Sequence, residues 1–489
     1  VLAGGARAGV DGLWVTTDKS IDCSSTKTIA RDLFRDCETD EEKAIAVWRF
    51  VRRTQFHWPH KATWHNLPLI NSYGYSLCGQ QSRMFVELCL AGGLKARGVS
   101  TKGHNMAEAF YDDSWHFFDC HIGWYALRKD KSAVASLREM QKDNSIITDA
   151  VKDGRASDPF MHCGDSVKAL VGLINNSRST GPAPVSEEEY SMNLRRGESI
   201  TRTWTNEGKA VPRPGKKKFL YPQHACRGIK SDKTDPVNSK FWLPYLLEEP
   251  LVVDGEEIVR AGVLRYFGNG RKVYEPDLAS KAFAEDQGKR AMRGYVAGKA
   301  GAPKLHPDST GRTLKLTIPM RSCYKIVDAW MDAEIVRKTE ADKVQIFSSG
   351  KKWREPFWTA EKTGVIKLEK LSLARAVPNR HDIFRVTFAM EAEEEITNVG
   401  LNHVRVTAVF MCNPQALPYL VPGENVVSVR TAEDADLKAN KLKVEYVWEE
   451  DGKEKTWEKR VDSRPCQGKI KVGGEEMPRM KAVTLSVDR

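Results

Sequence analysis

The sequence lacks any apolar run long enough to cross a bilayer, because a helix needs about 20 consecutive apolar residues to span the hydrocarbon core. Its first residues, VLAGGARAGVDGLW, also lack the hydrophobic region of a signal peptide. Two interpretations remain: a cytosolic protein, or an exported one whose signal peptide has been removed. We expect a secreted or periplasmic protein with no membrane span.

Motifs for nucleic-acid binding are missing as well. The chain has no zinc-finger spacing, no aromatic RNA-binding signature and no phosphate-binding loop, so we expect no nucleic-acid partner. The formal net charge of +11 nevertheless favours acidic partners such as an acidic polysaccharide, or simply serves solubility. The basic run PGKKKF at 214–219 is typical of a solvated loop.

Cysteine is present in moderate number, and its ten positions are widely scattered. If Cys78 is reactive and Cys89 is buried in a helix, eight cysteines remain, enough for four disulfides or for ordinary buried thiols. Cys120 and His121, with His162 and Cys163, could bind zinc, but a Cys120–Cys163 disulfide is favoured. No spacing indicates a strong metal site, and we expect neither a metal nor another cofactor.

The first part of the chain is predicted to be helical. The run ETDEEKAIAVWRFVRRTQFHW begins at Thr39 or Asp40, has acidic residues in its first turn and has arginines near its end, which complements the helix dipole. Another helix is predicted from about Cys78 to the glycines at 92–93. A further charged helical segment is predicted at 126–143.

Short alternating runs after residue 93 predict strands, with KARGVST, NMAEAFYDD and SWHFFDC first among them and a turn at 112–114. The run NNSRSTGPAPVSEEE resembles a linker, and the texture beyond it is typical of β-sandwiches. We therefore expect three domains: a catalytic domain at 1–185, a β-rich middle domain at 186–310 and a C-terminal β-sandwich domain at 311–489.

Three residue types in this first part suit nucleophilic catalysis. A helix N-terminus favours a thiolate, and a nearby imidazole completes the ion pair and carries protons. A third polar group orients the imidazole. Cys78 at the helix start, His104 on one strand and Asp119 at the end of the next strand could meet these needs, although a lone thiol is by default a buried core residue.

The residues around these three resemble the transglutaminase-like superfamily, from about Thr39 to Tyr125. The cysteine helix is followed by a Gly-x-x-Ala-Arg stretch, then by a His-x-x-x-Glu strand and a Trp-x-x-x-Asp strand. The matching residues are Cys78, Gly93, Ala96, Arg97, His104, Glu108, Trp115 and Asp119. The resemblance implies an α+β fold: an N-terminal transglutaminase-like, papain-like domain followed by mostly β, sandwich-type domains.

The same resemblance implies roles for individual residues. Cys78 is the nucleophile, His104 the base and acid, and Asp119 the orienting group. The amide of Cys78 serves the oxyanion hole, and Trp64 and Gln80 are candidates for a side-chain contribution. Two departures leave the substrate and reaction open: Met106 replaces an aromatic residue, and Gly-Gln-Gln follows the cysteine.

A second cluster lies just upstream, in FHWPHKATWHN and the residues after it. These side chains either form a loop at the rim of the cleft or supply the acid and base of a chemistry without a thiol. The residues of this cluster are His57, His60, His65, Tyr73 and Tyr75.

Three functions follow from these patterns. The first is a transglutaminase-like thiol enzyme that acts on amides of proteins or peptides by hydrolysis, acyl transfer or deamidation. The second is a secreted lyase that acts on an acidic polysaccharide and uses the upstream histidines and tyrosines. The third is a binding module with a vestigial triad.

Overall fold

The structure, a computed structural model, describes residues 9–57, 63–150, 152–157, 167–205, 211–212, 251–253, 256–259, 264–266, 268–281, 283–285, 294–348, 355–373, 377 and 383–489. The predictions made for His60, His162, Cys163 and the run 214–219 lie outside these residues. Within the described ranges, no helix combines the length and the apolar character that crossing a membrane requires.

Antiparallel sheets dominate the fold, some of them curled into half-barrels, with 43% of the structure in strands and 20% in helices. The expected α+β class, with a papain-like domain first, is therefore wrong. Strand β1 (Gly9–Thr17) pairs with β24 (Gly423–Arg430) on one side and with β8 (Met192–Arg195) on the other. Local periodicity predicts a strand but not its partner, so the sequence pattern does not predict this pairing of distant segments. The domain limits at 185 and 310 stay predictions.

The helices lie mostly in the first part of the chain. Among the described residues they include α1 (Thr26–Leu33), α2 (Asp40–Thr54), α3 (Asn66–Pro68), α4 (Cys78–Ala91), α5 (Leu137–Lys142), α6 (Ser145–Thr148), α7 (Val167–Asn175) and α8 (Leu437–Asn440), with a π-helix at Leu69–Tyr73 and 3-10 turns at Ile396–Asn398 and Pro414–Ala416. The Thr39 side chain caps α2 by accepting from the Glu42 amide, and the Glu42 carboxylate accepts from the Thr39 amide. The predicted starts of α2 and α4 are confirmed.

The largest sheet has ten strands and gathers segments from most of the chain. Its strands are β9 (Glu198–Thr203), β14 (Gly270–Tyr274), β15 (Tyr295–Ala297), β16 (Leu305–Pro307), β18 (Lys325–Arg337), β21 (Gly364–Ser372), β23 (Val399–Met411), β25 (Leu442–Glu450), β26 (Lys453–Val461) and β28 (Arg479–Val487). The strand order at its centre is β23-β14-β9-β28-β25, so two strands lie on each side of β9.

Smaller sheets account for the other described strands. One joins β27 (Cys466–Val472) to β24, β1 and β8; a second contains β17 (Leu314–Arg321), β22 (Ile383–Glu391), β19 (Lys343–Ser348) and β20 (Trp358–Thr359). Three are pairs: β2 (Phe56–His57) with β3 (Tyr75–Ser76), β10 (Val211–Pro212) with β13 (Leu264–Tyr266), and β11 (Leu251–Val253) with β12 (Glu256–Val259).

A four-stranded antiparallel sheet follows α4 and positions the candidate site. It contains β4 (Lys95–Thr101), β5 (His104–Tyr111), β6 (Ser114–Phe118) and β7 (Arg178–Ser179). The predicted turn between β5 and β6 is confirmed: Asp112 and Asp113 adopt φ angles of 46° and 54°, the left-handed pair of a tight hairpin turn. The helix predicted at 126–143 is wrong over most of its length, because 126 and 127 form β-bridges and only Leu137–Lys142 is helical.

One apolar core joins the helices to the large sheet. Val47 of α2, Phe85 of α4 and Leu485 of β28 belong to the same cluster of buried side chains. Burial of this surface, at about 25 cal/mol per Å² of apolar area, is the main force that holds α4 against the β-rich remainder.

Candidate active site

Cys78 is the first residue of α4, and its side chain is half-buried. The first amides of a helix have no acceptor within the helix and carry partial positive charge, which favours an anionic sulfur at this position. Gln80 shapes this helix start: its Oε1 accepts from the Leu77 amide at 2.8 Å, and its Nε2 donates to the Thr63 carbonyl at 2.6 Å. The side-chain amide of Gln80 therefore stabilises the loop before the helix. Its oxygen and its nitrogen are both hydrogen-bonded to backbone groups and not to the thiol.

His104 and Asp119 come together across the β5–β6 hairpin. His104 opens β5, and Asp119 follows β6 directly. His104 Nε2 lies 2.7 Å from Asp119 Oδ2, and both side chains are buried. Because Nε2 is engaged by the carboxylate, Nδ1 is the nitrogen that remains for the Cys78 thiol, whose pKa His104 lowers.

Asp119 is held in one orientation by the chain around it. Its Oδ1 accepts from the amides of His121 and Ile122 at 2.9 and 2.8 Å, and its main-chain carbonyl accepts from Trp48 Nε1 at 3.0 Å. These bonds leave Oδ2 to the imidazole. The carboxylate therefore fixes both the orientation and the tautomer of His104.

The electrostatics of the cluster favour an ion pair. Burial alone would raise the pKa of the Cys78 thiol, but the hydrogen bond and charge of His104, together with hydrogen bonds from Asn105, lower it below 9.0. Burial would lower the pKa of His104, but the charge and hydrogen bond of Asp119, with a further contribution from Cys78, raise it to about 10. These opposite shifts favour a thiolate beside an imidazolium.

Asn105 is a site residue that the sequence reasoning missed. Its backbone and its side chain both contribute to lowering the pKa of the Cys78 thiol. A Cβ placed on Gly79 would lie 3.4 Å from Asn105 Nδ2, so the amide reaches over the first turn of α4. Its position next to His104 is the signal that the sequence offers. The sequence pattern does not distinguish the amide of Asn105 from the side chain of any other strand residue.

His121 also lies at the site, with its ring centroid 5.1 Å from that of His104. The sequence pattern indicates His121 only as a zinc ligand or as a neighbour of a disulfide. Cys120 is a free thiol in the structure, and the proposed partner residues at 162 and 163 lie outside the described part. Among the described residues, no group of three or more histidine, cysteine or acidic side chains could hold a metal ion.

Trp64 borders the site from the loop before α4. Its ring would lie 3.6 Å from a Cβ at Gly79, and the side chain is 53% exposed. An exposed indole beside the nucleophile offers apolar surface and one N–H donor to a substrate. Of the two side chains predicted for the oxyanion or cleft, Trp64 therefore faces the site and Gln80 does not.

The upstream cluster is dispersed in the structure. Tyr73 and Tyr75 lie in the apolar core, 7% and 2% exposed, with their rings edge to face at 5.7 Å. His65 lies on the surface, with Nδ1 3.5 Å from a Glu188 carboxylate oxygen. The structure describes only the backbone of His57, in β2, and His60 lies outside the described residues.

The remaining residues of the family motif have structural roles. The buried carboxylate of Glu108 accepts from Arg97 Nε and Nη2 at 2.9 and 2.7 Å, and the Arg97 guanidinium lies 3.8 Å above the Trp115 ring. Gly93 adopts a φ of 89° at the end of α4, which favours glycine. These contacts fix the sheet that carries His104 and Asp119.

Replacing Asp119 with asparagine is expected to lower turnover by roughly 10²- to 10⁴-fold. An asparagine Oδ1 can still accept from the amides of His121 and Ile122, but its neutral amide no longer stabilises the imidazolium. The measurements are kcat and the melting temperature of both proteins. A variant that melts normally and keeps full kcat would contradict an orienting role.

Comparisons with known proteins return nothing for this chain: no family model matches the sequence, and neither curated proteins nor solved structures give a match.

Proposed function

We propose that this protein is a thiol-dependent enzyme that acts on amides of proteins or peptides. The observation that carries the proposal is the cluster of Cys78, His104 and Asp119 at the start of a helix: Asp119 is hydrogen-bonded to His104, and His104 lowers the pKa of the Cys78 thiol. The lowered pKa of the thiol increases the fraction of thiolate, which is the nucleophilic form.

In the first step, Cys78 Sγ attacks the carbonyl carbon of the amide and forms a C–S bond. The negative charge that develops on the carbonyl oxygen is stabilised by the amide of Cys78, at the helix N-terminus, with Asn105 Nδ2 as a second donor within reach. His104 Nδ1 then donates its proton to the amide nitrogen. The C–N bond breaks, the amine or ammonia leaves, and a thioester remains on Cys78.

In the second step, His104 Nδ1 takes a proton from water or from an acceptor amine. The resulting nucleophile attacks the thioester carbonyl, the C–S bond breaks, and Cys78 leaves as a thiolate beside the imidazolium. Water gives hydrolysis or, from a side-chain amide, deamidation. An amine gives acyl transfer.

The relationship to the transglutaminase-like superfamily is part of this proposal and concerns the local arrangement only. It is supported by the positions of the matched residues on helix α4 and on the strands that follow it. It is also supported by the ion pair between Arg97 and Glu108. The mostly β architecture around this arrangement gives it no support. The predicted location outside the cytoplasm stays a prediction.

The lyase alternative has less geometric support. Elimination needs a base that faces a large acidic substrate, and Tyr73 and Tyr75 are buried in the apolar core. Its remaining support is the net charge of +11. We therefore treat a lyase, like a binding module, as an outcome of the experiment and not as a second proposal.

The experiment is a search for the acyl-enzyme on a panel of glutamine- and asparagine-containing peptides, simple amides and acidic polysaccharides. We expect one equivalent of amine or ammonia to be released rapidly, and rapid acid quenching to reveal a covalent adduct on the Cys78 peptide. Hydroxylamine should remove the adduct, as it does from thioesters. Turnover of an amide without such an adduct would overturn the proposal. Unsaturated uronate products without any amide turnover would establish the lyase instead.

A further inference from the structure

Arg202 lies at the centre of the ten-stranded sheet, far inside the protein. Its side chain is only 1% exposed. It belongs to a row of directly paired residues that runs Tyr446, Val483, Arg202, Gly270, Phe410 across five strands. Directly paired residues of an antiparallel sheet project from the same face, so Tyr446 and Arg202 project together into the core.

Most of the hydrogen-bonding capacity of this buried guanidinium is unused. Nη1 donates to the Tyr324 hydroxyl at 3.3 Å. Nε and Nη2 of Arg202 have no hydrogen-bond partner among the described residues, and neither does the buried hydroxyl of Tyr446. Three donor atoms on one face of the sheet therefore have no acceptor in the described part of the chain, and a buried donor without an acceptor destabilises the folded state.

The neighbouring groups supply no negative charge. Burial raises the pKa of Tyr324 and of Tyr446, so both phenols remain protonated at neutral pH. Burial also raises the pKa of the Cys412 thiol, to about 12. Across the described residues, no carboxylate forms an ion pair with Arg202, and arginine cannot lose its proton in a protein.

Arg337, another buried arginine of the same sheet, shows the contrast. Its Nε donates to the Asp342 carbonyl at 2.7 Å, Nη2 to the Glu340 carbonyl at 2.7 Å and Nη1 to the Lys362 carbonyl at 3.2 Å. All three nitrogens are used, as is usual for a guanidinium that the fold has buried for structural reasons. Within the described part of the chain, Arg202 has one hydrogen bond, and that bond is to a neutral hydroxyl.

We propose that Arg202 and Tyr446 form an enclosed binding site for a small monovalent anion of the halide class. Nε and Nη2 of Arg202 and the hydroxyl of Tyr446 all donate, and a halide accepts from several donors without needing to donate in return. A water molecule would use the same donors but would leave the buried positive charge without compensation. The apolar neighbours of the site, such as the stacked rings of Tyr324 and Phe410 at 4.8 Å, disfavour a large hydrated anion.

Thermal unfolding of the full chain tests this site, with sodium chloride compared with sodium gluconate at equal ionic strength. Because an anion bound only by the folded protein stabilises it by mass action, the unfolding constant should fall about tenfold for each tenfold rise in chloride above the dissociation constant. Arg202→Met should abolish the dependence on chloride. Tyr446→Phe should weaken the apparent affinity about tenfold, the equivalent of one lost hydrogen bond.

Arg337→Met is the matched control, since it removes a buried guanidinium whose three nitrogens all donate a hydrogen bond; it should lower the melting temperature but keep the dependence on chloride. If Arg202→Met does not fold, wild-type crystals grown in sodium bromide give a direct answer. An anomalous bromide peak within hydrogen-bond distance of Arg202 Nε or Nη2 supports the site. A water molecule or a carboxylate of the chain in that position, or equal stability in chloride and gluconate, overturns it.

Discussion

Replacing Cys78 with alanine is expected to reduce kcat for amide substrates by about 10⁴- to 10⁶-fold, the range seen when the nucleophile of a catalytic triad is removed. The variant loses the only atom that can form the thioester, while the oxyanion donors and substrate contacts remain. Since Cys78 is half-buried at the first position of α4, the substitution removes little packing. We expect the melting temperature to change by no more than a few degrees.

Cys89→Ala is the matched control for this substitution. Cys89 lies in the same helix, is a free thiol and is fully buried, so it offers the same chemical change without contact to the site. This control should lose some stability and keep its kcat. A Cys78→Ala enzyme with more than a tenth of the wild-type kcat would exclude thiol catalysis.

The second large effect is expected in the pH dependence of Cys78 alkylation by iodoacetamide. The pKa of Cys78 is lowered and that of His104 is raised to about 10, so the thiolate–imidazolium pair exists from the lowered thiol pKa up to about pH 10. Below the lowered thiol pKa the sulfur gains a proton, and above about 10 the imidazole loses its charge. Alkylation should therefore rise through the first pKa, whereas turnover, which also needs the imidazolium as an acid, should rise through the first pKa and fall through the second.

His104→Ala should move the alkylation curve to higher pH. Burial raises the pKa of a thiol, and in this variant neither the hydrogen bond nor the charge of His104 opposes it. Since each unit of pKa changes the thiolate fraction about tenfold, we expect alkylation at pH 7 to slow by roughly 100-fold or more. Peptide mass spectrometry can identify the alkylated cysteine. Burial raises the pKa of the thiols of Cys23, Cys89 and Cys120, so we expect these thiols to react slowly.

His65→Ala provides the control for that measurement. His65 is exposed and is paired with Glu188 on the surface, so its loss should leave the alkylation profile unchanged. Equal alkylation rates for wild type and His104→Ala at pH 7 would mean that His104 does not activate the thiol.

Much of the candidate site could be predicted from the sequence because its elements are determined locally. A capping threonine, acids in a first turn, a glycine at a helix end and an Asp-Asp turn act over a few residues, and α2, α4 and the β5–β6 hairpin follow from them. The order of Cys78, His104 and Asp119 on these elements then places three reactive side chains near one another.

Other features of the site depend on contacts that no local pattern encodes. Gln80 and Asn105 both carry a primary amide near the nucleophile. The structure uses Gln80 to brace the Leu77 amide and the Thr63 carbonyl, whereas Asn105 reaches the thiol. Tyr73 and Tyr75 resemble acid–base candidates in sequence, yet they belong to the apolar core. Residue type alone does not distinguish a buried polar group with a structural role from one that faces a substrate.

The sequence by itself determined the local elements of the candidate site: α2, α4 and the β5–β6 hairpin, and the positions on them of a thiol, an imidazole and a carboxylate. Only the tertiary structure decided the fold class, because strand β1 finds its partners β8 and β24 far along the chain. It also decided the environment of Arg202, whose neighbour Tyr446 comes from a strand that is distant in sequence. Hydrogen bonds within a helix or a turn connect residues a few positions apart, whereas sheet pairing and burial connect any two segments that the whole fold brings together.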